Sequence, residues 1–449
     1  MSANLPKELN FASNKPMGAS GKPYINRFRS DGTNYAQNDV IRIEIPTSRN
    51  GSYLFPNDSY LEGKVTVTAR STLAAKSYFI DQSVYSLFHR IRVYHGSNII
   101  EDTLFTNKIW NAINDLQVSE TERRGDCITK LVGDNTAAAN QLFNDGCTGR
   151  LAVTTAADNV ANAGDVLEFS FVLPSALLGS LCSKAVPLGL MGAASIYLEL
   201  ELASPEMAFV TAAADHQAIS YQVSDIYYNA KMTTLPSDIN DMLIESTGGF
   251  INIPAVAYKA ESKSISTGSS SFNDKFSFQF SSMKNFCFFL QNTGAAAGTI
   301  SQRSITARPR CNLSEFYLTI NGEAYPSQPV KGYARMYQEL LRAWDMQSNV
   351  GSGGIITYKN YTRDVHANND AVLADVAVNT PQSRFLAGID LDKFNLSSEI
   401  LMSGTSSIGQ MVSLQLNFSA ATTAPLNLYS FVQYDVLFHI QDGLISPKF

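Results

Sequence analysis

Glu199 and Glu201 are the first residues in this 449-residue chain whose type and spacing could do chemistry. They lie two apart in SIYLELELA (195–203), on one face of an alternating segment. Paired carboxylates can serve as acid and base on a glycosidic bond where their face forms a cleft. Alternation alone also explains them, as the wet face opposite the stripe Ile196, Leu198, Leu200 and Leu202. The five histidines (His89, His95, His216, His366, His439) form no H-x-H, no H-E-x-x-H and no cluster with cysteine. They lack metal-ligand spacing, so no metal site is expected. Cys127, Cys147, Cys182, Cys287 and Cys311 are an odd, sparse set without C-x-x-C spacing. They read as free thiols of a reduced compartment. No G-x-S-x-G elbow and no phosphate-binding G-x-x-x-x-G-K-S/T loop occurs. The GSGG run at 351–354 precedes IITY, a β-like segment, and reads as a loop tip. No catalytic residue, cofactor-binding residue or cofactor is expected.

The elements that would carry these residues are strands. DVIRIEIP (39–46) alternates, with Ile41, Ile43 and Ile45 on one face. YLEGKVTVTA (60–69), FHRIRVYHGSNIIED (88–102), DVLEFSFVLP (165–174) and YQVSDIYYNAKM (221–232) follow the same rule. Later come FINIPAVAYKA (250–260), KFSFQF (275–280), KNFCFFLQN (284–292), SLQLNF (413–418) and YSFVQYDVLFHIQ (429–441). In LSEFYLTINGEAYP (313–326), Asn321-Gly322 marks a tight hairpin, because both residues tolerate positive φ. Two segments, 104–116 and 333–346, have helical spacing instead. TLPSDINDM (234–242) reads as a linker, and 117–164 and 351–382 as long loops. The total is about sixteen strands, which predicts an all-β chain.

The order of elements repeats. Strand, Gly turn, strand and a helix with one Trp runs over 88–116 (Trp110) and again over 313–346 (Trp344). RFLAGIDL (384–391) matches 165–174, a helical turn at 396–402 matches 175–181, VSLQLNFSA (412–420) matches 195–203, and 429–441 matches 221–232. The repeat predicts equivalent places for the two tryptophans, each on the end of its own barrel. Eight strands per half fit a jelly roll, two four-stranded sheets wound as Greek keys. The expected organisation is an N-terminal arm over 1–38, a first jelly roll over 39–236 and a second over 237–449.

Composition narrows the function. The chain is 45% apolar and 16% charged, with a net charge of −6. Such a chain folds nearly throughout. Its charge lies below the roughly 25% of an average domain, as suits a surface covered by other protein. No basic excess marks a nucleic-acid binder. The amino terminus has no apolar core of a signal peptide, and no run spans a membrane as a helix. Synthesis in the cytoplasm, without secretion, is the expectation.

FHRIRVYHGSNIIEDT (88–103), FSFVLPSALLGSLCSKAVPLGLMGAASIYLELEL (169–202) and LTINGEAYPSQP with YQELLRAW (318–344) carry a resemblance. Over about 39–445 the chain resembles the double jelly-roll major capsid proteins of icosahedral double-stranded DNA viruses, the lineage of tectiviruses, virophages, polinton-like viruses and nucleocytoplasmic large DNA viruses. The resemblance implies a virion protein that forms pseudo-hexagonal homotrimers and tiles a shell with neighbouring capsomers. It implies penton and minor capsid proteins as further partners and allows an internal membrane. It implies no enzyme activity and no sequence-specific nucleic acid. The alternative from another class is a β-sandwich carbohydrate-binding protein or glycosidase, which needs a cleft with convergent carboxylates or an aromatic-lined groove.

Overall fold

A computed structural model describes residues 21–47, 51–69, 78–119, 122, 129–131, 166–192, 194–211, 220–246, 248–293, 305, 308–346, 356, 358–362, 383–393 and 402–449. Sixteen strands carry the architecture. In the first half they are β1 (Lys22–Arg29), β2 (Val40–Ile45), β3 (Tyr60–Ala69), β4 (Phe88–His95), β5 (Asn98–Leu104), β6 (Val166–Phe171), β7 (Ile196–Leu202) and β8 (Ser220–Thr234). In the second they are β9 (Ile251–Ile265), β10 (Ser271–Phe276), β11 (Met283–Asn292), β12 (Leu313–Ile320), β13 (Glu323–Lys331), β14 (Ala387–Asp390), β15 (Val412–Phe418) and β16 (Leu426–Gln441).

The first half stacks sheet β2-β7-β4-β5 against sheet β1-β8-β3-β6. The second stacks β10-β15-β12-β13 against β9-β16-β11-β14. Adding eight to each label turns one order into the other, and the pairings within these sheets are antiparallel. Each half is therefore a jelly roll, and the halves are a duplication of one plan. Short strands extend the edges: Asn34–Ala36, Ser52–Leu54 and Val186–Pro187 in the first half, Leu444–Lys448 beside β16 in the second.

Period-2 alternation explains the cores. Ile41, Ile43 and Ile45 of β2, and Ile196, Leu198, Leu200 and Leu202 of β7, are buried on one face. Phe286 and Phe288 of β11 and Phe316 of β12 do the same in the second barrel. Burying such side chains is worth about 1.5–3 kcal/mol each. The β12–β13 turn is Asn321-Gly322 with φ of 52° and 85°, the backbone that choice of residues allows. Helix α1 (Thr106–Gln117) follows β5, and α3 (Tyr333–Ala343) follows β13.

Four expectations change. Residues 22–29, assigned to the arm, form β1 and pair with β8 from Lys22↔Thr234 to Arg29↔Tyr227. The first barrel thus begins at Lys22 and not at residue 39. Its alternation escapes notice because the inward residues are Tyr24, Asn26 and Phe28, half-buried and mixed in polarity. The linker 234–242 contains the start of helix α2 (Ser237–Ser246), with Asp238 placed favourably in its first turn. Strand β10 ends at Phe276, although Phe278 and Phe280 beyond it stay buried. The tryptophans sit on equivalent helices but out of register: Trp110 is in the second turn of α1, Trp344 is the C-cap of α3. The helical turn expected at 396–402, the GSGG run and most of both long loops lie outside the described residues.

β1 supplies a full ladder and two half-buried rings to its sheet. Truncation after residue 20 should leave the melting midpoint unchanged within a few degrees. Truncation after residue 38 should lower it by at least about 6 °C, corresponding to a loss of roughly 3 kcal/mol in a domain of this size. Differential scanning calorimetry of the two truncations checks this.

Candidate functional site

Glu199 and Glu201 do not form a catalytic pair. Both stand on the outer face of β7, a central strand of its sheet. Glu199 lies opposite Arg42 of β2 and Arg92 of β4. It is 3.9 Å from the first guanidinium and 3.3 Å from the second. Glu201 faces Val40 and Arg90, and Arg90 is held by Asp102 of β5 through two bonds of 2.6 and 2.9 Å. These residues form a ladder of charge across an open sheet, which favours cross-strand pairing and supplies no cleft.

His95 is buried, with a ring nitrogen 3.0 Å from the Met191 carbonyl oxygen. His89 is edge-on to Phe105, and burial holds its pKa below the usual imidazole value. His439 contacts Asn252 and Gln441 near the second barrel's surface. His216 and His366 lie outside the described residues, as do Cys127 and Cys147. Cys182 and Cys287 are free thiols, and burial raises their pKa, Cys182 to about 11 and Cys287 to about 12, while Cys311 Sγ donates to the Pro309 carbonyl at 3.6 Å. Among the described residues no group of three or more His, Cys, Asp or Glu is placed to hold a metal ion.

A groove of about 630 Å³ runs over β3, β6 and β8, lined in part by Glu62, Glu168 and Asp225. Each of its carboxylates already has a cationic partner. Arg27 holds Glu62, and Lys64 stands 3.5 Å from Glu168 and 3.2 Å from Asp225. Arg27 also covers the Tyr227 ring at 3.7 Å, occupying the face a sugar would stack on. The groove therefore gives the carbohydrate reading no support.

The chemistry the chain does concentrate is at the seam between the barrels. Asp115 lies near the C-terminal end of α1 with its side chain fully buried. Arg308 Nη2 reaches its Oδ2 at 2.6 Å, and Arg384 Nη1 reaches its Oδ1 at 2.5 Å. Both guanidinium groups belong to the second half, and both are fully buried. Gln82 donates to the same carboxylate from the first half at 3.2 Å. Arg308 also donates through Nη1 to the Ile305 carbonyl at 2.7 Å and through Nε to the Phe385 carbonyl at 3.3 Å. Asp81 of the first half accepts the Ile305 backbone N–H at 2.7 Å. A carboxylate at a helix C-terminus opposes the macrodipole, and two cations offset that cost.

Around this cluster the seam is closed by rings and backbone. Thr103 donates to the Tyr258 carbonyl at 3.2 Å. Tyr258 lies between the tryptophans, with centroids 5.2 Å from Trp110 and 6.4 Å from Trp344. The tryptophans thus converge on one tyrosine of β9, and neither caps the end of its own barrel alone. Lys108 of α1 crosses to Tyr429 Oη at 3.0 Å and to Gln291, and Phe105 packs edge-on to Tyr429. A cavity of about 450 Å³ remains beside Trp110, Tyr258 and Trp344. Glu101 of β5 is fully enclosed near the same seam. It accepts from Ser175 Oγ at 2.6 Å and from the Ala176 N–H at 2.9 Å. Burial, the dominant cause, pushes its pKa up to about 7.

None of the charged seam residues stood out in the sequence. One signal was present: Asp115 interrupts the apolar face of 104–116 near a helix end that disfavours it. Arg308 and Arg384 lie 193 and 269 residues away from it, so no local pattern joins the three.

No family model matches the chain, and no curated relative does. Solved structures do. The Faustovirus major capsid protein superposes with a TM-score of 0.56 at 11% identity, over 96% of this chain and 92% of that one. The mavirus major capsid protein gives 0.53 at 10% identity, over 100% and 95%. The PBCV-1 capsid protein VP54, as fitted into a reconstruction of the virophage Sputnik, gives 0.56 at 12% identity, over 96% and 97%. The fold is that of viral major capsid proteins. A double jelly roll runs the whole length of each match, so the tandem arrangement, and not a single barrel, is what they share.

Two outcomes follow from the seam of this double jelly roll. Asp115→Ala leaves two guanidinium groups buried without their carboxylate and should cost about 3–5 kcal/mol in denaturant titration. For Glu101, the folded pKa of about 7 lies above the ordinary 4.5. The protonated form is favoured by folding, so stability falls as pH rises from about 4.5 through 7 and the loss is complete above it. Glu101→Gln keeps the acceptor and has no charge to bury. It should flatten that fall and exceed the parent by up to about 3 kcal/mol at pH 8, measured by paired unfolding curves at pH 5 and pH 8.

Proposed function

We propose that the chain is the major capsid subunit of an icosahedral double-stranded DNA virus, a structural protein without catalytic activity. One observation carries the reading. The duplicated barrel, locked by a buried ionic seam, matches viral major capsid proteins over nearly their full lengths. Two lobes per chain and three chains per block give six lobes, a pseudo-hexagonal unit suited to tiling a closed shell. Its partners are then two further copies in the block, the neighbouring blocks, and penton and minor capsid proteins. Its location is the virion. The two barrels, beginning at Lys22 and at Ile251, are its folding units, and the segment before Gly21 serves as an arm for contacts between blocks or with an underlying membrane.

The low charge content suits surfaces that other subunits cover. The test is native mass by light scattering followed by negative-stain images. Particles of three chains with hexagonal outline are expected at micromolar concentration. A monomer over a wide salt range overturns the reading.

A further inference from the structure

Residues 172–185 join β6 to the short strand Val186–Pro187 without forming a strand of their own. At one end this segment closes over Glu101. Ser175 Oγ stands 2.6 Å from Glu101 Oε2, and the Ala176 N–H donates to the same carboxyl group at 2.9 Å. Ser175 Oγ in turn accepts the Leu178 N–H at 3.1 Å, so the turn winds on the acid. At its other end the segment reaches the second barrel. The Leu181 carbonyl accepts the Val256 N–H at 3.4 Å, Cys182 bridges to Ala255, and Ser183 Oγ donates to the Pro254 carbonyl at 3.3 Å. One short segment thus ties a buried acid to the edge of β9.

Glu101 has no cationic partner among the described residues. The titratable groups that face it are Asp102 on its own strand, Cys182 on the segment and Tyr434 of β16. Val93, opposite it on β4, is apolar, and Arg90 and Lys259 are held by Asp102. Burial pushes the Glu101 pKa up to about 7, so the group is neutral in mild acid and ionised in mild alkali. Once ionised, it is a buried charge with hydrogen bonds but no counter-charge. Only water reaching it offsets that cost.

The walls around Glu101 differ in how firmly they are held. β5 is laddered to β4, and β16 is laddered on both sides, to β9 and β11. The 172–185 segment has no ladder, and its 3.4 Å bond to Val256 is long for an N–H···O contact. Space lies beside it, because Ser180, Leu181 and Val256 line the 450 Å³ cavity at the seam. The segment is therefore the wall that yields.

We propose that Glu101 and residues 172–185 form a pH-operated latch on the seam, hooked to β9 while Glu101 is protonated and released when it is ionised. The cluster of Asp115, Arg308 and Arg384 is no part of the latch, so the barrels stay joined while one tie between them opens. The proposal goes beyond the capsid reading and does not depend on it.

The sign follows from linkage. A closed-state pKa of about 7, above the ordinary 4.5, favours the closed latch in acid, and that preference is lost as pH rises through 7. Hydrogen exchange of the full chain, read by mass spectrometry at pH 5.5, 7.0 and 8.5 as protection relative to the intrinsic rate at each pH, tests it. In the parent, peptides covering 175–185 and 251–260 should lose about tenfold or more of their protection between pH 5.5 and 8.5. Peptides covering 106–117 should keep theirs. Glu101→Gln is neutral at every pH and should hold the same protection across the range. Unchanged protection at 175–185 in the parent overturns the latch. An equal loss in Glu101→Gln also overturns it, because another group then titrates, and an equal loss over 106–117 does so because the opening is then global. Circular dichroism checks that the variant is folded. Should Glu101→Gln not fold, Glu101→Met is the second uncharged variant, and the contrast between the two regions of the parent decides if neither folds.

Discussion

Asp115 is a single carboxylate buried between two guanidinium groups from the other barrel, and the shape of the subunit depends on it. Taking three charges out of water costs several kcal/mol per ion, recovered only when geometry and hydrogen bonds are good. Here the bonds are 2.5 and 2.6 Å, and Gln82 and two backbone carbonyls add further hydrogen bonds. An apolar contact of the same area would tolerate sliding and rotation, because it is non-directional. The ionic cluster admits one docking angle. Any hinge motion that pulls α1 from Arg308 strands a charge in a low-dielectric seam.

The remaining charges are largely absorbed into sheet faces. Glu199 with Arg42 and Arg92, and Asp102 with Arg90, run as cross-strand pairs over the first barrel, and Asp102 also reaches Lys259 of β9 across the seam. Exposed pairs of this sort contribute little stability. They do keep an outer sheet face wet and in register, since a one-residue slip would put Glu199 into the core and Leu198 into water. The same face that suggested acid–base chemistry in the sequence is thus a register device.

Alternation made much of the fold legible. SIYLELELA became β7 with its four aliphatic side chains buried, and Asn321-Gly322 became the turn it predicts. The duplication was also legible, because order and spacing survive when residue identities do not. What stayed hidden depends on contacts that are distant in sequence. β1 is a strand because β8 offers it an edge, not because KPYINRFR alternates cleanly. Trp110 and Trp344 were paired by count, yet they lie about two turns apart in helical register and meet only through Tyr258. The seam was the least legible part: its cluster joins segments near 115, 308 and 384. Only the misplaced charge of Asp115 at a helix end pointed to it.

A rigid seam has a further consequence for assembly. In the proposed ring of six lobes, three junctions lie within chains and three between them. One intrachain and one interchain turn must together make a third of a revolution, or the ring does not close. An error at a flexible junction would accumulate around the ring and leave a gap or an open spiral. The intrachain junctions remove half of that freedom before subunits meet, because Asp115, Arg308 and Arg384 fix their angle during folding. The interchain junctions then need only modest affinity: a trimer with three preset angles loses little conformational entropy on closing. In the proposed ring, directional chemistry inside the chain thus sets one angle before the copies meet.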